Sequence, residues 1–145
     1  MTRCVMYAAA VLVAVSSTVV VAQKVTSVDE LDKTMKRVGP AQQGINKAIQ
    51  SMSYPDARKN LPVVRQAMLD AEGFWVAKKK NDAVKSTRET VAKIDALDKI
   101  LATPSPDNAS VMAAFKEVGG ACRSCHQTYR EQVGDDFRLK PGTVE

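Results

Sequence analysis

Apolar side chains recur at alternating spacings of three and four residues along most of this chain, and that periodicity restricts the folds open to it. Side chains spaced in this way share one face of an α-helix. Four segments show the pattern, at residues 28–52, 61–75, 84–101 and 111–129. Short polar or proline-containing stretches separate them, so neighbouring helices would run antiparallel. The pattern predicts an all-α fold, an antiparallel up-down-up-down four-helix bundle.

The first helix has a well-marked start and an interruption. Ser27 and Glu30 have the spacing of a capping box, in which each side chain satisfies a backbone amide of the other residue. Gln42 is the only polar member of the apolar stripe, which ends at Met52. Pro40 lacks an amide proton, so we expect a kink that loosens the preceding turn of the helix.

The later boundaries are predicted by the same kinds of signal. Pro62 lies inside the second stripe, so that helix is either kinked there or begins near Leu61. Asn81-Asp82 is expected to cap the third helix, and Gly134 is expected to end the fourth. Residues 134–145 contain a Pro-Gly pair and show no periodicity, which predicts an irregular C-terminal tail.

Residues 1–22 have the features of a secretory signal peptide. Arg3 supplies a short basic region, an apolar run follows, and Val20-Val21-Ala22 supplies small residues before a cleavage site. We expect cleavage before Gln23, which leaves an exported bundle domain at residues 23–133 with no membrane attachment. The apolar run is nearly long enough to span a bilayer, so an uncleaved anchor is the alternative.

The segment Cys122-Arg123-Ser124-Cys125-His126 carries the most specific chemistry in the chain. The spacing C-x-x-C-H is the attachment signature of a c-type haem. Residues three apart on a helix face the same way, so Cys122 and Cys125 can both bond to the porphyrin while His126 binds the iron. Because the chain contains one histidine, a second histidine cannot be the opposite ligand. We expect one covalently bound haem c.

Two other kinds of site share part of this motif. A C-x-x-C pair also occurs in redox dithiols, but those follow a strand in an α/β chain, and no such alternation is present. A structural zinc ion takes four ligands. Once the leader is removed, the chain offers two cysteines and one histidine, which are too few without carboxylates.

The surroundings of the motif suit a buried cofactor. Both cysteines fall on the apolar stripe of the fourth helix, so the haem would lie in the bundle interior. Gly119-Gly120 would cost about 1 kcal/mol per glycine in a helix, and the space for a flat macrocycle is a reason for them. Phe74 and Trp75 are expected to fill the core rather than to contact the haem.

The net charge favours a protein partner over nucleic acid. The formal charge is +5, and loss of Arg3 with the leader makes it +4. A mildly basic protein suits docking to an acidic redox partner. Lys78-Lys79-Lys80 is the only basic triplet and has no interleaved aromatic residues, so it is better explained as a solvated helix end. No binding to nucleic acid is expected.

The fourth segment resembles the class II c-type cytochromes, the cytochrome c-prime family. Residues 118–130 match the family pattern Gly-x-x-Cys-x-x-Cys-His-x-x-aromatic-Arg, and the resemblance in helix pattern covers residues 24–133. It implies a four-helix bundle with the haem motif in the last helix, a periplasmic location, redox partner proteins and a homodimer. It implies no enzymatic activity, because the members either transfer electrons or bind small gases.

The resemblance makes residue 35 the position that separates the two branches of the family. Lys33-Thr34-Met35-Lys36 is similar to the low-spin pattern, in which methionine is the second axial ligand of the iron and the protein transfers electrons. A methionine paired with a histidine raises the reduction potential. The alternative is the high-spin branch, whose five-coordinate iron binds nitric oxide or carbon monoxide. A peroxidase is disfavoured because His126 is the only histidine.

Two of these site residues also have simpler explanations. A methionine on an apolar stripe is more often a core filler than a ligand. If Met35 only fills the core, the iron would be five-coordinate or would bind a lysine instead. Met52 lies about 25 Å from Met35 along the same helix, so both cannot meet one iron. Arg130, one turn beyond His126, would contact a haem propionate or remain a solvated surface arginine.

Overall fold

Four long helices and a short hairpin make up residues 25–144, the part of the chain that the computed structural model describes. Each helix packs against the next one in the chain, which confirms the four-helix bundle. The elements are α1 (Val28–Gln50), α2 (Tyr54–Ala77), α3 (Asn81–Leu101), α4 (Asn108–Tyr129), β1 (Arg130–Val133) and β2 (Asp136–Leu139). The expected signal peptide, residues 1–22, lies outside the described residues. Among residues 25–144 no helix is both long enough and apolar enough to cross a membrane.

The capping box at the start of α1 is confirmed. The Ser27 hydroxyl accepts a hydrogen bond from the Glu30 amide at 3.2 Å, and the Glu30 carboxylate accepts one from the Ser27 amide at 2.9 Å. The Thr26 amide also donates to this carboxylate, at 2.8 Å. These amide donors stabilise the charged form and lower the pKa of Glu30 to about 2. The helix that carries Met35 therefore begins at a well-defined residue.

Replacing Ser27 with alanine is expected to lower the free energy of unfolding by about 1 kcal/mol, the usual cost of losing an N-cap hydroxyl. Chemical denaturation monitored by circular dichroism measures the change. Ser105→Ala, in the exposed loop before α4, is the control and should leave stability unchanged. A Ser27→Ala protein as stable as the wild type would show that the capping box does not hold this end of α1.

The two internal prolines do not end their helices. α1 continues through Pro40, and α2 begins at Tyr54 and runs through Pro62. The sequence left open whether α2 begins near Leu61, and the structure places its start at Tyr54. Pro55 therefore lies in the first turn, where a proline costs no hydrogen bond. Pro40 still removes one helical bond, because the Lys36 carbonyl has no amide donor four residues later.

Two predictions about helix ends are wrong. Met52 was expected on the buried stripe of α1, but it lies beyond the end of the helix, is 66% exposed and has a left-handed backbone with a φ of 55°. Asn81-Asp82 was expected to cap α3, but α3 begins at Asn81 itself after Lys80, with no side-chain cap. The Asp82 carboxylate instead accepts a hydrogen bond from the Ala83 amide at 3.0 Å.

The buried side chains form two clusters. The larger cluster joins all four helices and contains Val38, Ala41, Ile45, Ala48, Ile49, Ala57, Leu61, Val64, Ala67, Met68, Ile94, Leu97, Leu101, Val111 and Val118. The smaller cluster contains Val25, Leu31, Ala71, Phe74, Trp75, Ala83 and Val84. Met35 packs against both clusters. It therefore lies at the junction between them.

The C-terminal segment differs from its prediction. α4 ends at Tyr129 rather than at Gly134, and residues 134–145 are not wholly irregular. β1 and β2 pair antiparallel through a two-residue turn, in which Gly134 has a φ of 62°. A two-residue hairpin turn favours glycine at this position because its φ is positive. Leu139 packs on the smaller cluster, so the hairpin is attached to the bundle.

Candidate functional site

A cavity of about 480 Å³ opens into the bundle beside the junction of the two clusters. This volume lies within the range of about 300–1,000 Å³ typical of cofactor and ligand sites. Every helix and the hairpin contribute to its wall. The lining residues are Val28, Asp29, Leu31, Asp32, Met35, Lys36 and Gly39 of α1; Met68, Ala71 and Trp75 of α2; Ser86, Thr87 and Thr90 of α3; Cys122, Cys125, His126 and Tyr129 of α4; and Arg130, Asp136, Phe137, Arg138 and Leu139 of the hairpin.

The three residues of the C-x-x-C-H motif all line this cavity. α4 is continuous through the motif, so Cys122 and Cys125 lie on one face of the helix, as the spacing predicts. Both are half-buried free thiols. Burial raises the pKa of each thiol, and the Gln42 side-chain amide, which donates to the Cys122 Sγ at 3.8 Å, partly offsets this for Cys122.

His126 is half-buried beside the two thiols. Burial lowers its pKa, and the positive charge of Arg130 lowers it further. Both effects favour the neutral imidazole, which is the form that binds a metal ion. The imidazole therefore enters the cavity in a state suited to an axial ligand.

Two methionines also line the cavity. Met35 reaches it from α1 and is half-buried, whereas Met68 reaches it from α2 and is 6% exposed within the larger cluster. Met52 and Met112 are both exposed and contribute nothing to the wall. Only Met35 and Met68, among the methionines of the described residues, therefore reach the same space as His126.

Aromatic packing supports the wall nearest to the end of α4. Trp75 is 3% exposed, with its ring centroid 4.9 Å from that of Phe74 and 5.0 Å from that of Tyr129. Phe74 is fully buried and fills the core, as expected, whereas Trp75 both fills the core and lines the cavity. Burial and the Asp82 carboxylate raise the pKa of Tyr129, so its phenol stays protonated.

Arg130 begins the hairpin with its guanidinium stacked over the ring of Phe137, 4.0 Å from the ring centroid. It borders the main cavity and also a more open, polar depression of about 420 Å³ on the far side of the motif. Arg123 is exposed and borders the depression. Neither arginine forms an ion pair within residues 25–144, so the positive charge of each is available to an anionic ligand.

The glycine pair before the motif remains a prediction. Gly119 and Gly120 are exposed, and a Cβ atom built on either meets no other atom within 4 Å. Gly119 borders the polar depression, but Gly120 borders neither space. The interpretation that these glycines leave room for a macrocycle thus rests on sequence alone.

The hairpin closes the cavity on the side of α1. Four of its residues beyond Arg130 line the wall, and Lys36 of α1 lies 3.7 Å from the Asp136 carboxylate and 2.9 Å from that of Asp32. These groups are exposed, so solvent screening leaves the ion pairs little effect on stability. The apolar contacts of Leu139 hold the hairpin more firmly.

The donor set fits a covalently bound haem. Two thiols and an imidazole project from one helix into a largely apolar cavity, and α1 and α2 each supply it with a thioether. Within the described part of the chain, no cluster of three or more histidine, cysteine, aspartate or glutamate residues could hold a metal ion directly. The arrangement suits a macrocycle that brings its own metal and needs only axial ligands.

Comparison with known families supports a haem c protein. A family model described as Cytochrome C′ matches residues 71–130. Over these residues the chain is similar to the cytochrome c-prime family. Cytochromes c-prime are four-helix bundles that bind haem covalently, and they generally carry electrons or bind gases rather than act as enzymes. No curated protein and no solved structure matches the chain.

The match to the cytochrome c-prime family model covers only part of the site. It spans the end of α2, all of α3 and α4, and so includes Cys122, Cys125 and His126. It leaves out α1, which carries Met35, and the hairpin after Arg130. The matched segment is thus similar to haem c proteins that transfer electrons or bind gases, in a family that is typically periplasmic.

Sequence reasoning found the motif but missed several residues around it. Gln42 was visible as the one polar residue on the α1 stripe, and its contact with Cys122 explains that exception. Met68 lies within the second apolar segment, and nothing in the sequence distinguishes it there from an ordinary core residue. Ser86 and the hairpin gave no sequence signal that connected them to the cavity, because their placement depends on how α3 and α4 pack.

Proposed function

We propose that this protein is a cytochrome c-prime, an exported, periplasmic electron-transfer protein with one low-spin haem c. Cys122 and Cys125 would attach the haem, and His126 and Met35 would bind its iron. The observation that carries the proposal is that these four side chains line a single cavity, although Met35 is on α1 and the other three are on α4. Export rests on the leader at residues 1–22 and on the usual location of the family.

The protein contributes ligands, exclusion of water and local charge. When bound, a haem c supplies an iron that gains and loses one electron. His126 donates a nitrogen in its neutral form, and Met35 donates a soft sulfur that favours the reduced metal and raises the reduction potential. Leu31, Ala71 and Trp75 line this side of the cavity with apolar surface, which disfavours water there.

The positive groups beside the motif suit the proposed partner and the haem propionates. Arg130 is held in place by Phe137 and is free of ion pairs within residues 25–144, so it could meet a propionate at the cavity edge. Arg123 is exposed next to the cysteines and would attract an acidic redox partner. Such charges act mainly on the rate of association.

Replacing Met35 with alanine is expected to convert a low-spin protein into a high-spin one. The oxidised wild-type protein should show the weak far-red absorption band of methionine-ligated haem, and the variant should lack it. After reduction, the variant should bind carbon monoxide rapidly, whereas the wild type should bind it slowly because the thioether must first leave. Visible spectroscopy and stopped-flow mixing measure both effects.

Two other methionines make this experiment specific. Met112→Leu, on the exposed face of α4, is the control and should keep the far-red band. Met68→Leu tests the other methionine in the cavity, and loss of the band in this variant alone would assign the ligand to Met68. A wild-type protein that is high-spin before any substitution would instead support the gas-binding branch of the family.

A further inference from the structure

One buried carboxylate in this bundle has no part in the proposed electron transfer. Asp70, on α2, has a side chain only 4% exposed. Its carboxylate accepts a hydrogen bond from the Gln66 amide at 2.8 Å and another from the Arg37 guanidinium at 3.3 Å. Burying a charge is costly unless it is paired, so a residue such as this calls for an explanation.

Arg37, one of the two partners of Asp70, is close to Met35 in the sequence of α1. The same nitrogen of Arg37 that contacts Asp70 also donates to the Thr34 hydroxyl, at 3.3 Å. Thr34 directly precedes Met35 and is 3% exposed, and Arg37 follows Met35 by two residues. Asp70 is thereby connected to α1 on both sides of Met35. The residue after it, Ala71, is itself part of the cavity wall.

The contact between Arg37 and Asp70 lies beside a missing hydrogen bond in the backbone of α1. Pro40 has no amide proton, so the carbonyl of Lys36 lacks its helical hydrogen bond. That gap falls in the turn that follows Met35. A helix short of one internal bond depends more on contacts with its neighbours, and Arg37 with Asp70 supplies such a contact to α2.

We propose that Asp70 is a positioning residue that, through Arg37 and Thr34, holds the turn of α1 that presents Met35 to the haem cavity. The inference rests on the proposed ligation by Met35. Asp70 touches neither the cavity nor the ligand and acts only through α1. Its loss should leave the bundle folded and make the Met35 thioether easier to displace.

The test compares Asp70→Asn with the wild type in the complete haem-containing protein. Imidazole is added to the oxidised protein, and the far-red band reports displacement of methionine. The variant should lose the band at an imidazole concentration about tenfold lower, because residues in one hydrogen-bonded network are energetically coupled. Hydrogen exchange at the amides of residues 31–37 should accelerate by about the same factor.

Three further variants make the result specific. Asp95→Asn breaks an exposed ion pair with Arg65 between α2 and α3, and should change neither measurement. Asp70→Glu keeps the charge and should restore most of the resistance to imidazole. Arg37→Gln breaks the same ion pair by changing its half-exposed partner rather than the buried carboxylate. It therefore gives the same test if Asp70→Asn does not fold.

Two outcomes would overturn the inference, and they are distinguishable. If the wild type shows the far-red band and Asp70→Asn keeps an unchanged imidazole midpoint while melting at a lower temperature, Asp70 is only a structural link between α1 and α2. If the wild type shows no far-red band, the proposed ligation by Met35 fails, and this inference fails with it.

Discussion

Protein in which both Cys122 and Cys125 are replaced by serine is expected to lose all of its haem on denaturing electrophoresis. The two thiols lie on one face of α4 and both line the cavity, so each can form a covalent bond to the porphyrin. With both bonds absent, only axial coordination and burial retain the haem, and denaturation abolishes both. Haem-specific staining of the gel, together with extraction into acidified organic solvent, measures the loss.

Single substitutions refine this expectation. Cys122→Ser and Cys125→Ser should each keep one covalent bond and remain stained, with an altered visible spectrum. Ser124→Ala lies between the cysteines, is exposed, and is the matched control that should behave as the wild type. Covalent haem in the double variant would refute attachment at this motif.

Replacing Trp75 with alanine is expected to lower the free energy of unfolding by about 3–5 kcal/mol, the range for removing a large buried aromatic side chain. Trp75 is 3% exposed and is packed between Phe74 and Tyr129. Because it also lines the cavity, its loss should weaken the wall beside the haem motif as well as the smaller cluster. Guanidinium denaturation followed by circular dichroism measures the change in the haem-containing protein.

The neighbouring residue provides the control for this prediction. Val76 is 55% exposed, so Val76→Ala should change stability by no more than about 0.5 kcal/mol. Trp75→Phe should lose less than Trp75→Ala, since a smaller aromatic ring retains part of the contact with Phe74. A loss below about 1 kcal/mol for Trp75→Ala would mean that the wall can collapse to fill the space.

The helices could be predicted because their signals are local. The capping box at Ser27, the heptad spacing and the proline-rich loop before α4 each act over a few residues. In the structure α1 begins directly after Ser27, and α4 begins directly after that loop. The motif at Cys122 could be predicted because its chemistry needs a fixed spacing on one helix face.

The rest of the site depends on contacts between distant parts of the chain. The hairpin was missed although Gly134-Asp135 is a recognisable turn, because β1 shows no alternation of apolar and polar side chains, and β2, which does alternate, is only four residues long. Asp70 gave no signal because nothing in its neighbourhood of the sequence indicates that Arg37 lies beside it. The approach of α1 to the motif is likewise a property of the packed bundle, seen in the contact between Gln42 and Cys122.

X-ray absorption at the iron edge of the purified wild-type protein tests the central claim most directly, because it identifies the atoms bound to the metal. We expect one sulfur ligand in addition to the nitrogen atoms of the porphyrin and of His126, and we expect that sulfur to be absent from Met35→Ala. Iron bound by five nitrogen atoms and no sulfur in the wild type would contradict the account and leave Met35 as a core residue.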